Sequence, residues 1–149
     1  MDFTKYNVNL EEMKKELKEI EENGGSGNYK EVPAGTYTVK ITKLELTETK
    51  KEPKRPMLSC WFKILDGEYE NSLIFMNQVC SESFQIHICD EFLRSLDTGV
   101  EVKFDNFTQY CNMIMDIAEE AEKLEFELEY GETKKGFKTF KINEVFDVE

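Results

Sequence analysis

Three observations predict a chain that is mainly β with added helix. Strand-like runs follow one another between residues 35 and 79, a helical stretch covers 83–123, and a two-strand hairpin spans 125–146. Apolar spacing runs at every second position, then every third or fourth, then every second again, as strand, helix and strand require.

The first run, GTYTVKITKLEL (35–46), alternates Tyr37, Val39 and Ile41 with Thr and Lys, and its phase then slips to Leu44 and Leu46. A one-residue slip in an otherwise regular strand predicts a β-bulge. MLSCWFKIL (57–65) sets Leu58, Cys60, Phe62 and Ile64 on one face and Met57, Ser59, Trp61 and Lys63 on the other. DGEYENS (66–72) turns into a third strand over 72–79. A helix is expected from Ser83 to Leu96, with Phe84, Ile88, Phe92 and Leu96 as its apolar stripe. VEVKF (100–104) fits a short strand or a connector. A second helix over 107–123, capped by Asp105 or Asn106, would bury Tyr110, Ile114, Ile117 and Ala121. EFELEY, the turn GETKKG (131–136) and FKTFKINEVF form the closing hairpin.

Before the strands, LEEMKKELKEIEE (10–22) places Leu10, Met13, Leu17 and Ile20 in a narrow helical stripe, and NGGSGN (23–28) reads as a linker. The expected organisation is an N-terminal helical arm and linker over 1–28 and one domain over 29–149. So narrow a stripe needs support from the domain or from a second subunit, so a homo-oligomer is one expectation.

The chain has 149 residues and a net charge of −12, from 31 Asp and Glu against 19 Lys and Arg. Taken alone, that balance argues against nucleic acid. The four cysteines, Cys60, Cys80, Cys89 and Cys111, form no CxxC pair and sit in apolar runs. Reduced, buried thiols and a cytoplasmic protein follow. The N-terminus lacks the apolar core of a signal peptide, and no apolar run reaches membrane-spanning length, so no membrane association is expected. His87-x-Cys89 is a poor ligand pair, and there is no Gly-rich phosphate loop and no second histidine. No metal, no cofactor and no enzyme activity are expected.

The strand order β-β-β-α(α)-β-β is that of an OB-like five-stranded barrel with a helical insertion between strands 3 and 4. In that fold the face of strands 2 and 3, with the loops joining strands 1–2 and 4–5, binds oligonucleotides. Here those loops are TETKKEPKRP (47–56) and GETKKG (131–136). Residues 40–63 hold seven cations against three acids, and residues 134–141 hold four cations and no acid. By contrast, residues 116–132 hold eight acids and one lysine. The two basic segments are expected to be neighbours, with aromatics between them. The candidate nucleic-acid-binding residues are Lys40, Lys50, Lys51, Lys54, Arg55, Trp61, Lys63, Tyr69, Phe75, Lys134, Lys135, Phe137, Lys138 and Lys141. Cations that track a backbone and aromatics that stack bases are the means of holding a single strand without reading its sequence. The same residues also fit a plain solvated loop, with Trp61 in the core.

Four stretches, EENGGSGNYKEVPAGTYTVKITKLELTETKK, PMLSCWFKILDGEYENSLIFMNQV, FQIHICDEFLRSLDTG and LEYGETKKGFKTFKI, resemble a family of small proteins of phages and prophages of Gram-positive bacteria. The resemblance rests on Val32 to Tyr37, Leu65 to Tyr69 and Lys134 to Phe137, and covers about residues 2–146. That family, long catalogued as a domain of unknown function, is regarded as phage single-stranded DNA-binding proteins. The resemblance implies an OB-like fold, sequence-nonspecific binding of single-stranded DNA in phage replication and recombination, and a place in the host bacterial cytoplasm. A phage recombinase or replication protein is an expected partner. An acidic interaction protein that engages a recombinase or a host defence protein is the alternative. The acidic, aromatic tip NEVFDVE leaves Phe146 either as the end of strand five or as part of a recruiting tail.

Overall fold

The computed structural model describes residues 32–148, together with Glu12, Lys14 and Lys15, which are helical and exposed. The rest of the expected arm and linker lies outside the described residues. Five strands, β1 (Gly35–Glu48), β2 (Pro56–Ile64), β3 (Leu73–Val79), β4 (Leu124–Glu132) and β5 (Lys138–Asp147), form one antiparallel sheet in the order β3-β2-β1-β4-β5. Helices α1 (Ser83–Ser95) and α2 (Phe107–Ala121) are inserted between β3 and β4. Among the described residues β3 and β5 are the outermost strands and do not pair with each other, so the sheet is open.

Alternation decides the strand faces. Leu58, Phe62 and Ile64 of β2 and Phe126 and Leu128 of β4 are fully buried, and each such residue is worth about 1.5–3 kcal/mol. The phase slip in β1 is a bulge. The β1–β2 register runs Ile41↔Phe62 and then Lys43↔Trp61, with Thr42 as the extra residue. Phe146 pairs with Glu125 and so belongs to β5. Residues 100–104 are a connector with no strand.

α2 packs against β1 with Tyr110, Ile114, Ile117 and Ala121 buried, as its periodicity requires, and Asn106 caps it by accepting from the Gln109 N–H at 2.8 Å. The stripe of α1 differs from expectation. Cys89, Phe92 and Leu93 are buried, whereas Phe84 is 62 % and Ile88 47 % exposed. Steps of four residues drift about 40° around a helix, so Phe84 points about 120° away from Leu96 and both cannot face one core. α1 instead spans the open side of the sheet, touching both β3 and β5. Cys60, Cys80 and Cys89 are buried, Cys111 is half-buried, and none of the four is in a disulfide. No helix among the described residues is long and apolar enough to cross a membrane.

Candidate nucleic-acid interface

The outward face of β1, β2 and β3 is built by the bulge. Lys40 faces outward opposite Lys63, and simple alternation would then turn Lys43 inward. The extra residue restores Lys43 to the outer face, opposite Trp61. Trp61 in turn pairs with Phe75 of β3. One row of side chains therefore crosses three strands. The Lys43 ammonium stands 4.3 Å from the Trp61 ring centroid, and Phe75 meets Trp61 edge-on with centroids 5.2 Å apart. Trp61 is half-buried and Phe75 is 40 % exposed, so Trp61 is not a core residue. Lys43 also pairs with Glu45 at 3.3 Å.

Lys40 and Lys63 are half-buried and directly opposite each other, and among the described residues neither forms an ion pair. Like charges in that position destabilise a sheet. An anion on this face would relieve that repulsion.

The two basic loops share one clasp. Thr49 donates its N–H to the Arg55 carbonyl at 2.9 Å, and its hydroxyl accepts from the Arg55 N–H at 3.0 Å. Thr133 does the same with Phe137, at 2.8 and 3.1 Å. The first clasp pinches off Lys50, Lys51 and Lys54 in an exposed loop. The second holds Lys134 and Lys135 at the tip of a tight turn that Gly136 completes with a φ of +88°, a backbone conformation open to glycine. A residue pinned at both N–H and C=O leaves its loop little freedom, so the cations are presented rather than trailing.

The register does not make the two loops neighbours along β1. The first lies beyond Glu48, whereas the second lies on the side of Gly35, which pairs with Tyr130. A separate groove of about 1070 Å³ is lined by residues of neither loop. It is the gap between the two sheet edges, with residues 75–78 of β3 as one wall, residues 137–142 of β5 as the other, and α1 along it. Past the groove, β3 ends at Val79, which pairs with Met57 at the base of the first loop, and the Cys80 N–H bonds to the Pro56 carbonyl. The β5 wall begins at the second loop. Phe75 belongs to both surfaces, flanking Trp61 on the outer face and lining the groove.

Phe137, 67 % exposed, lines the β5 wall with Lys138 and Lys141. Lys138 is engaged locally, 3.2 Å from Glu132 and 5.6 Å from the Tyr130 ring centroid. Tyr69 stands apart from these residues. It packs on the core, edge-on to Tyr37, beside a hollow lined by Asp66, Glu68 and Glu127. Charge is segregated on the sheet as well: Glu127 of β4 faces Glu144 of β5.

Lys43 escaped the sequence reading because alternation from Lys40 points it inward. The phase slip at Ile41–Leu44 was the available signal. No curated protein matches the chain. A model of a family described as proteins of unknown function, DUF669, matches residues 18–140. That span is most of the chain, and the chain belongs to the DUF669 family.

Proposed function

We propose that this protein binds single-stranded nucleic acid, as an OB-like domain whose binding face is the outer surface of β2 and β3. The row Lys43–Trp61–Phe75, set in register across three strands, carries this reading. Aromatic rings give sequence-tolerant stacking, and the surrounding lysines give an electrostatic track for the backbone. The pairing β3-β2-β1-β4-β5 with a helical insertion after β3 supports an OB-like fold left open between β3 and β5. The resemblance to phage single-strand binders supports single-stranded DNA as the ligand, a role coating strands during phage replication or recombination in the host cytoplasm, and a recombinase as partner.

Titration with labelled oligo-dT at two salt concentrations tests the proposal. Affinity should fall as salt rises, because phosphate contacts release counterions. The second reading, an acidic interaction protein, draws support from the carboxylates of 116–132 and the Glu127–Glu144 pair. It predicts no oligonucleotide binding at low salt.

A further inference from the structure

We propose that Lys40 and Lys63 together seat one backbone phosphate, and that the bound strand therefore lies along β2, from this seat over Trp61 toward the loop of residues 49–55. The inference rests on the single-strand reading above and adds where the backbone runs.

Register builds the seat. Val39 and Ile41 flank Lys40, Phe62 and Ile64 flank Lys63, and all four are buried, so both lysines face outward. They pair across β1 and β2, which puts their Cβ atoms about 4.5–5.5 Å apart. Each ammonium carries three donors on a flexible stem, so both can reach the oxygens of one phosphate. Both lysines are half-buried, and among the described residues neither forms an ion pair. Their repulsion is a cost in the free protein that a bound anion removes.

Charge on the neighbouring rows sets the direction. Toward β4, Thr38 pairs with Glu127 and Thr36 with Glu129, so a backbone crossing there meets carboxylates. Toward β3, the outward residues beside Trp61 and Ser59 are Phe75 and Asn77, and neither is a cation. Cations continue only along β1 and β2. Lys43 stands beside Trp61, and beyond Met57 the loop exposes Lys51, Lys54 and Arg55, none of them in an ion pair among the described residues. Glu45, the carboxylate on this line, is paired with Lys43 at 3.3 Å. Trp61 lies two residues from Lys63, about 6.8 Å along the strand. That is about twice the 3.4 Å rise of a stacked nucleic-acid strand, a step that one unstacked nucleotide covers. A phosphate in the seat thus leaves its own base over Trp61.

The test uses the full chain, oligo-dT and Trp61 emission. Lys40→Gln and Lys63→Gln should each raise the melting temperature of the free protein by about 1–5 °C, because the repulsion is gone, and each should weaken oligo-dT binding. Either single change leaves one cation on the phosphate, so the salt slope should stay near wild type. The double variant should lose about 0.7 of slope, the value of one phosphate. A loss of about 1.4 would assign the lysines to two phosphates and overturn the shared seat. Unchanged melting of both single variants would overturn the stored repulsion. The double variant should weaken even the shortest oligo-dT that quenches Trp61. Replacing Lys51, Lys54 and Arg55 with Ser should weaken only oligomers long enough to span the about 20 Å from Lys63 to Met57. The reverse order would turn the strand off β2. Inorganic phosphate at matched ionic strength should raise the wild-type melting temperature far less than oligo-dT, having no base for Trp61, and an equal rise would make the pair a site for free phosphate. If wild type binds oligo-dT and the double variant binds as tightly, the seat is not on the path and the single-strand reading survives. If wild type fails to bind oligo-dT at low salt, both fall together.

Discussion

Phe62 of β2 and Phe140 of β5 stack with ring centroids 6.2 Å apart and planes 19° apart, although β1 and β4 lie between their strands. Only a strongly coiled sheet lets residues three strands apart touch. Phe92 of α1 meets Phe62 edge-on at 6.1 Å and completes the cluster. The open sheet is thus strongly coiled, with Phe62, Phe140 and Phe92 packed together across it.

That relationship predicts the stability of both residues. Phe62 is fully buried, so Phe62→Ala should cost about 3–5 kcal/mol in urea unfolding. Phe140 is half-buried, so Phe140→Ala should cost less. The two losses should be non-additive in a double-mutant cycle, because the rings pack on each other. Strict additivity would mean that the rings do not hold the roll together.

The second prediction concerns pH. Tyr110, fully buried on α2, donates its hydroxyl to Asp90 Oδ1 on α1 at 2.6 Å. Burial first, and then the bond to the Asp90 carboxylate, pushes the phenol well above its ordinary value of 10.0. The fold therefore keeps a proton that the unfolded chain loses near pH 10. The stability from this group is complete below that pH and is lost as pH rises through and beyond it. Tyr110→Phe should cost about 1.5–3 kcal/mol at neutral pH, as a hydrogen bond to a charged group does. It should also flatten the alkaline limb of the stability curve, measured by urea unfolding from pH 7 to 11. An unchanged limb would mean that another group governs alkaline unfolding.

Strand faces were legible because alternation is a two-state code. Leu58, Cys60, Phe62 and Ile64 can only share a side, and the slip after Ile41 announces its bulge. The α1 stripe was less legible because an i, i+4 series rotates as it climbs, and Phe84 and Ile88 looked like core while pointing outward. Candidate site residues were found by type and by loop. Their grouping was not, because Lys43 depends on one inserted residue and the β3–β5 groove on strands more than 50 residues apart. An unclosed edge leaves no local pattern in a sequence.

The basic loops carry the third prediction. Replacing Lys50, Lys51, Lys54 and Arg55 with Ser should reduce the slope of log affinity against log salt by about 0.7 for each phosphate that is no longer neutralised. Thr49→Val removes half of the clasp beneath that loop while leaving every charge in place. It should weaken oligo-dT binding less than the fourfold replacement and leave the slope nearly unchanged. A fourfold variant that binds with wild-type affinity and slope would reduce the cluster to a solvated loop and favour the acidic interaction protein.

Trp61 and Lys43 give the last prediction. The ammonium sits over the ring, so a base that stacks there must take the place of Lys43, which is then free to meet a phosphate. Trp61→Ala should lower affinity for oligo-dT by about 1–3 kcal/mol with little change in salt slope, since stacking releases no counterions. Because Trp61 is only half-buried, the loss of stability should fall below the about 3–5 kcal/mol expected of a core aromatic. Lys43→Gln should behave in the opposite way. Removing the cation uncovers the ring but leaves one phosphate without its counter-charge, so the slope should fall by about 0.7 while stacking persists. Trp61 is the only tryptophan in the chain, so its fluorescence reports on both events. Oligo-dT should quench it in wild type and in Lys43→Gln alike. Binding without any change in Trp61 emission would move the ligand off this face and leave the row Lys43–Trp61–Phe75 as sheet packing alone.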